Sequence, residues 1–150
     1  MDGDRRGLVV RLLNQILEQE LAGVIRYTHY SLMVFGYSRI RIVSWFRGEA
    51  TESLRHAEQA GELITHLGAY PSLGIGPLMD SHRTDLRSML EESLAVEDQA
   101  LALYRQLLQA VEGHSALIED YAFRMVATEE MHADEVRKML GSPVESPPAG

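Results

Sequence analysis

The chain has 150 residues, which is enough for one domain with its own hydrophobic core. Its net charge of −8 with neutral histidines argues against nucleic-acid binding, and the absence of cysteine excludes disulfides and thiolate metal ligands and fits a cytoplasmic protein. No apolar run reaches the length of about 18 residues that a membrane span needs, and the N-terminus does not resemble a signal peptide, so we expect no membrane partner.

Two long amphipathic helices are predicted in the N-terminal half. The first spans about residues 6–37 and the second about residues 39–67, where Gly68 ends it as a C-terminal glycine. Apolar residues recur every three or four positions along one stripe of each helix. The stripe of the first helix also carries Glu20, and that of the second carries His56.

Two further helices are predicted after a long connection that contains prolines and glycines. They span about residues 82–112 and 115–140. Glu97 is centred on the apolar stripe of the third helix. Glu129 and His132 both point towards the apolar side of the fourth helix, where they form a Glu-x-x-His motif.

The order of these connections predicts an all-α fold. No segment shows the apolar alternation of a strand, and the short breaks within each half make the helices of each pair antiparallel. A single long crossover between helices two and three favours a ferritin-like antiparallel four-helix bundle over a simple up-down-up-down bundle. We expect the bundle to occupy residues 1–141 and the proline-rich residues 142–150 to form a disordered tail.

Charged groups on apolar helix stripes predict a metal site at the bundle centre. An ionised carboxylate in an apolar core costs several kcal/mol unless it is paired or binds a metal. A lone Glu-x-x-His motif is weak evidence, but inward acids and imidazoles on four helices favour a shared cation over a buried hydrogen-bond network, which is the alternative. The candidate ligands suit iron, with zinc or manganese as alternatives, and are Glu20, His56, Glu97, Glu129 and His132.

Tyr27 lies about two helical turns after Glu20 on the same stripe. Its hydroxyl group can hydrogen-bond a carboxylate that binds a metal, and we therefore take it as the candidate catalytic residue. The alternative is an ordinary core tyrosine whose hydroxyl group bonds any nearby acceptor.

The chain resembles the bacterioferritin branch of the ferritin-like superfamily over about residues 1–140. The resemblance is carried by the stretch 13–22, Tyr27, Arg55-His56-Ala57-Glu58, Leu94-Ala95-Val96-Glu97 and Glu129-Glu130-Met131-His132. It implies oxidation of ferrous iron at an intrasubunit di-iron centre and storage of the ferric product in a hollow shell. It also implies that Glu20 and Glu97 are terminal carboxylates, that Glu129 is a bridging carboxylate, and that His56 and His132 are the imidazole ligands.

One bridging carboxylate of that pattern is missing. The family has a glutamate three residues before the histidine of the second helix, where this chain has Ser53. Three carboxylates do not balance the charge of two ferrous ions, so we expect either a weakened di-iron centre or a single-metal site. On the helical wheel Glu52, one turn from His56, is the better compensating ligand, and Glu49, two turns away, is the weaker candidate.

Two other departures concern haem and assembly. The family binds haem through a methionine two residues before the second-helix histidine, and Leu54 stands there, so we expect no haem. The tail shows no counterpart of the family's fifth helix, which lies near the fourfold axes of the 24-subunit shell, so the sequence leaves a dimer, a 12-mer and a 24-mer open. We expect a homo-oligomer built from dimers, with which the outward Leu32 and Ile40 are compatible, or an assembly with a second ferritin-like subunit.

Two functions are compatible with these features. The first is a haem-free, bacterioferritin-type protein for iron storage and detoxification, with ferroxidase activity on ferrous iron and oxygen or peroxide. The second is a metal-binding or structural subunit without ferroxidase activity, because Ser53 leaves the di-iron centre incomplete. A metal-free structural bundle is a third alternative.

Overall fold

The computed structural model describes residues 1–78 and 82–141, and the tail that we predict to be disordered lies outside them. The described residues contain no strand, which confirms the all-α fold. None of the described helices is both long and apolar enough to cross a lipid bilayer. There are four of these helices: α1 (Gly3–Met33), α2 (Arg39–His66), α3 (Leu86–Val111) and α4 (Ala116–Met139).

Two helix boundaries differ from the sequence prediction by about four residues. α1 ends at Met33 because Val34 has an extended backbone conformation, with φ −77° and ψ 128°. α3 begins at Leu86 because Asp85 acts as its N-cap, and its side chain accepts a hydrogen bond from the backbone N–H of Ser88. The preceding residues belong to the crossover connection rather than to the helix.

Both α2 and α3 run antiparallel to α1. Their C-terminal ends meet the beginning of α1, where the Arg6 Nε donates to the carbonyl of Leu67 at 2.8 Å. The Arg5 Nη1 donates to the carbonyl of Ala110, also at 2.8 Å. α1 packs against α2 and α3, and α4 packs against α3.

The long crossover between α2 and α3 runs along the surface of α1. The backbone N–H of Ser72 donates to the Asn14 side chain at 2.7 Å, and that of Gly76 donates to the Glu18 carbonyl at 2.8 Å. A Cβ atom at Gly76 would lie only 3.1 Å from the Glu18 carbonyl oxygen, so glycine permits this close approach. The crossover thus carries the chain from one end of the bundle to the other.

The interior contains two apolar cores separated by a polar layer. The first core lies near the beginning of α1 and includes Leu13, Ile16, Ala60, Ile64, Leu107, Ile118 and Met125. The second lies near the end of α1 and includes Tyr30, Val34, Ile42, Phe46, Met89, Leu90 and Val136. Each helix contributes polar residues at the level between the two cores: Glu20, Ser53, His56, Ser93, Glu97, Glu129 and His132.

Candidate metal centre

Three buried side chains in the polar layer form a compact group, which we call the Glu20 cluster. Glu20 of α1, His56 of α2 and Glu129 of α4 are each at most 6% exposed. Each residue offers one ligand atom, and the three atoms all lie within 4.8 Å of one another. No other group of three possible ligands is this compact in residues 1–78 and 82–141. The amphipathic stripes of three helices bring these groups together, as the sequence predicts.

Tyr104 of α3 hydrogen-bonds one carboxylate oxygen of Glu20. Its hydroxyl group donates to Glu20 Oε1 at 2.8 Å, while Glu20 Oε2 faces His56 Nδ1 at 3.7 Å. The latter separation exceeds a hydrogen bond, so Oε2 is not engaged by His56, and Nδ1 can bind a cation in the tautomer that carries its proton on Nε2. Tyr104 was not predicted as a site residue, although it lies about two turns after Glu97 on the stripe of α3.

Glu129 is the buried carboxylate with the fewest compensating contacts. Burial, a hydrogen bond to Glu97 and the negative charge of Glu97 raise the pKa of Glu129 well above its ordinary value of 4.5. Its Oε2 atom is buried and has no hydrogen-bond partner among the described residues. The raised pKa of Glu129 favours its protonated form in the metal-free protein.

Another buried glutamate shows how this chain stabilises an acid without a metal. Glu92 of α3 is 8% exposed. It accepts a hydrogen bond from the Tyr30 hydroxyl group, and its Oε2 lies 3.2 Å from Arg83 Nε. A cation and a donor compensate Glu92, whereas Glu129 has neither on its Oε2. This contrast indicates that Glu129 is the acid arranged for an external cation.

A second group, which we call the His132 cluster, lies beside the first. It consists of Glu49 of α2, Glu97 of α3 and His132 of α4. The Nδ1 atom of His132 lies 2.8 Å from Glu49 Oε2, and its Nε2 atom lies 3.9 Å from Glu97 Oε1. Burial alone would lower the pKa of His132, but the hydrogen bond to Glu49 and the charge of Glu97 raise it above the ordinary 6.5.

Tyr27 connects the His132 cluster to α1. Its hydroxyl group donates to Glu97 Oε1 at 2.6 Å and lies 2.7 Å from Ser93 Oγ, which therefore donates to it. It also lies 3.3 Å from His132 Nε2. Burial opposes the ionisation of Glu97, but its hydrogen bond to Glu129, the His132 charge and the Tyr27 hydroxyl group together lower its pKa. Tyr27 thus orients a candidate ligand carboxylate.

Ser53 lies where the family pattern requires a carboxylate, and it is buried against α1. A Cβ atom on Gly23 would lie only 2.9 Å from Ser53 Oγ and 3.6 Å from Arg26 Nη2. Arg26 is buried, and its guanidinium lies 5.5 Å from the centre of the Tyr27 ring. This cation in the polar layer was not predicted, because an arginine on the edge of an amphipathic stripe usually reaches solvent.

The two compensating glutamates occupy different positions. Glu52 is half exposed, binds Arg55 at 2.8 Å, and lies 3.6 Å from His56 Nε2, the imidazole nitrogen that faces away from Glu20. Glu49 is 17% exposed and bonds His132. The structure therefore places Glu49 inside the polar layer and Glu52 at its rim, although the helical wheel favours Glu52.

The polar layer opens to solvent through a cleft of about 500 Å³ between α2 and α4. Its inner wall contains Ser53, His56 and Glu129 together with the three residues of the His132 cluster. Asp134 and Glu135 lie at the same opening. Acidic walls raise the local concentration of cations, so the cleft is a suitable entry path for a metal ion.

The donor set of the two clusters fits a divalent cation. It comprises four carboxylates and two imidazoles without sulfur, which suits iron, manganese or zinc. Glu129 Oε2 has no hydrogen-bond partner among the described residues, and Glu20 Oε2 and His56 Nδ1 are too far apart to hydrogen-bond each other. A cation bound between these atoms would compensate all three. The predicted ligands Glu20, His56 and Glu129 meet directly, and Glu97 and His132 lie beside them with Glu49.

Two curated bacterioferritins are similar to this chain over most of its length. Bacterioferritin from Mycobacterium bovis (strain ATCC BAA-935 / AF2122/97) is 29% identical over 134 residues, covering 88% of this chain and 83% of the relative. Bacterioferritin BfrA from Mycobacterium tuberculosis (strain ATCC 25618 / H37Rv) matches with the same identity and coverage.

Solved structures share the architecture. A ferritin-like, diiron-carboxylate protein from Bacillus anthracis strain Ames superposes with a TM-score of 0.85 at 25% identity, covering 93% of this chain and 99% of that one. A dodecameric thioferritin, the bacterioferritin-related protein from Bacteroides fragilis, gives 0.82 at 22% identity, with 91% and 86% covered. The model of the ferritin-like domain matches residues 10–143. The chain therefore belongs to the ferritin-like family, as a bacterioferritin-like member.

Proposed function

We propose that this protein binds ferrous iron in its polar layer and serves bacterioferritin-type iron storage and detoxification. The Glu20 cluster carries the proposal, because three buried ligands converge there and Glu129 Oε2 has no hydrogen-bond partner among the described residues. A buried carboxyl group without a partner is costly, and a bound cation removes that cost. Curated bacterioferritins of similar length and a diiron-carboxylate neighbour support the choice of iron.

The residues of the polar layer prepare the site for a cation. Tyr104 and Tyr27 each donate to one oxygen of a ligand carboxylate, which leaves the other oxygen of Glu20 and of Glu97 to bind. Because the pKa of Glu129 is raised, a proton competes with a cation for this carboxylate, and we expect binding to strengthen as the pH rises. The acidic cleft supplies the route from solvent.

Oxidation of iron places a further demand on this arrangement. Two ferrous ions give up one electron each, and one molecule of hydrogen peroxide with two protons accepts them and leaves as two waters. A single ferrous ion supplies one electron and leaves a hydroxyl radical, whereas two ions close together supply both electrons in one encounter and avoid it. The Glu20 cluster and the His132 cluster lie side by side and share the Glu97–Glu129 contact, which favours such a pair.

Anaerobic titration followed by exposure to an oxidant tests the proposal. Chelator-treated full-length protein is titrated with ferrous iron without oxygen, and oxygen or peroxide is then added while ferric absorbance is followed. We expect saturable binding that Glu20→Gln weakens strongly, followed by oxidation above the protein-free rate. Absence of saturable binding would remove the metal-binding function, and binding without oxidation would remove only the ferroxidase activity.

The second candidate function is a metal-binding subunit without ferroxidase activity, which Ser53 favours. A serine in place of the bridging carboxylate leaves the centre short of one negative charge. Such a subunit would hold one iron or zinc ion and contribute its fold to a dimer or to an assembly with a second ferritin-like subunit. One bound ion per chain in the titration, with no accelerated oxidation, would favour this function over the first.

Haem binding and assembly complete the proposal. Leu54 is 45% exposed on α2 and has no donor atom for iron, so we expect no haem absorption band after incubation with haem. Leu32 and Ile40 are 60% and 79% exposed, which favours a dimer through the outer surface of α1 and α2. Sedimentation of wild-type protein and of Leu32→Glu measures whether that surface holds two subunits together.

A further inference from the structure

We propose that Glu49 replaces the missing carboxylate at Ser53 and, with His132, holds a second, weaker metal position next to Glu97 and Glu129. The proposal rests on the metal-binding function above and adds the residue that makes two ions possible in this chain. It predicts two binding events of unequal affinity. The stronger one belongs to the Glu20 cluster and the weaker one to the His132 cluster.

The contact between Glu49 and His132 places a carboxylate at the position in question. Glu49 Oε2 lies 2.8 Å from His132 Nδ1, and both side chains are less than one-fifth exposed. Two ligands bound to one cation at about 2.1 Å are separated by about 3 Å when they form a right angle. The two atoms are therefore already spaced as ligands of one ion, with a hydrogen bond in place of the ion.

The small side chain of Ser53 leaves room for this substitution. Glu49 precedes Ser53 by four residues, so their side chains are neighbours on the same face of α2, about one turn apart. Serine does not reach the cleft interior as a glutamate would, and Glu49 has three rotatable side-chain bonds with which to reach a cation beside His132. Both residues line the same cleft.

Glu129 lines the same cleft as Glu49 and His132, and its buried Oε2 atom has no hydrogen-bond partner among the described residues. Glu129 is 4% exposed, and it contacts Glu97 of the His132 cluster while its ligand atom also belongs to the Glu20 cluster. A carboxylate between the two clusters can bind one ion through each oxygen. With Glu49 included, four carboxylates balance the four positive charges of two divalent cations.

Glu52 does not offer the same position. Its carboxylate is half exposed and is already held by Arg55 at 2.8 Å. It lies 3.6 Å from His56 Nε2, at the rim of the cleft, whereas Glu49 lies beside His132. Moving Glu52 into the His132 cluster would require breaking its ion pair and turning it past His56.

A comparison of glutamine variants tests the proposal. Full-length wild type, Glu49→Gln, Glu52→Gln and the exposed control Glu58→Gln are depleted of metal. They are then titrated with Co²⁺, with calorimetry for stoichiometry and visible absorption for the ligand field. We expect wild type to bind two ions with affinities at least about tenfold apart. Glu49→Gln should keep the stronger event and weaken the other at least about 100-fold, which is more than the loss of a polar group outside the ligand set causes. Glu58→Gln should match wild type.

Several results would overturn the proposal. They are a wild-type titration with one event, an unchanged second event in Glu49→Gln, or a loss of the second event in Glu52→Gln. A single event that Glu20→Gln removes would leave the proposed metal-binding function standing while rejecting the role of Glu49. No binding in wild type would reject both. The double variant Glu49→Gln with Ser53→Glu should recover the second event, and circular dichroism with thermal unfolding checks that each variant is folded.

Discussion

The Glu20 cluster and the His132 cluster contain the same residue types, two glutamates and one histidine. They differ in whether a carboxylate and an imidazole are already hydrogen-bonded to each other. In the first, Glu20 Oε2 and His56 Nδ1 stand 3.7 Å apart, so a cation can enter without breaking a hydrogen bond. In the second, Glu49 and His132 are bonded at 2.8 Å. A hydrogen bond to a charged group is worth about 1.5–3 kcal/mol, and replacing it with a metal forfeits that amount. The two clusters are therefore expected to bind a cation with unequal affinity, although their ligand types are the same.

Removing Glu129, which links the two clusters through its contact with Glu97, gives the largest expected effect. Glu129 contacts Glu97 and contributes a ligand atom beside Glu20 and His56, so Glu129→Ala should weaken both binding events. We expect a loss of at least about 100-fold, above the range measured for outer-sphere partners of a metal site. Cobalt titration by calorimetry measures it. If one event keeps its wild-type affinity, Glu129 does not serve both clusters.

Restoring the missing carboxylate should reduce the difference between the clusters. Ser53→Glu adds a negative charge beside both, so the weaker affinity should rise by about tenfold, equivalent to about 1.4 kcal/mol. Ferrous oxidation should accelerate with it. The matched control is Ser53→Gln, which has the same size without the charge. An unchanged weaker affinity would show that Ser53 does not limit the second position.

The two tyrosines offer a symmetric test of each cluster. Tyr104→Phe removes the donor to Glu20, and Tyr27→Phe removes the donor to Glu97. Each variant should weaken the event of its own cluster by about tenfold, the lower end of the outer-sphere range, and should leave the other nearly unchanged. Equal effects of either variant on both events would mean that the clusters act as one site.

The pH dependence of stability is the smallest expected effect. The pKa of Glu129 is raised in the folded state by burial and Glu97, and that of His132 is raised by Glu49. Groups with raised pKa stabilise the fold at low pH and lose that contribution as the pH rises through their folded-state pKa. The metal-free protein should therefore become less stable as the pH rises above 4.5 for Glu129 and above 6.5 for His132.

Thermal unfolding of metal-free protein across this pH range measures the effect. Glu129→Gln, which resembles the protonated acid, should flatten the lower part of the profile and leave the His132 contribution in place. A wild-type profile that rises with pH throughout the range would contradict the assignment of a proton to Glu129. Bound metal should reverse the sign, because the cation requires the deprotonated carboxylate.

The fold and most of the site residues followed from helical periodicity. The interval of 3.6 residues placed Glu20, His56, Glu97, Glu129 and His132 on apolar stripes, and the structure brings all five to the layer between two apolar cores. Helix ends were less predictable. α3 starts four residues later than expected, because the cap at Asp85 depends on one local hydrogen bond.

Partners across helices were not predictable in the same way. Neither Tyr104 nor Arg26 was predicted as a site residue, although both are buried in or next to the polar layer. A helical wheel gives the direction of a side chain from its own axis. It does not give the height at which a neighbouring helix presents its donor or acceptor.

By itself, the sequence determined the four helices, the crossover and the acids and imidazoles that point inward, because these depend on spacing along a single chain segment. The tertiary structure decided which of these groups meet. The helical wheel favours Glu52, because it lies one turn from His56 on α2. In the structure Glu49, one turn earlier on α2, is the glutamate that contacts His132 of α4. Pairing between helices depends on their axial register, and that register is set by packing of the two apolar cores.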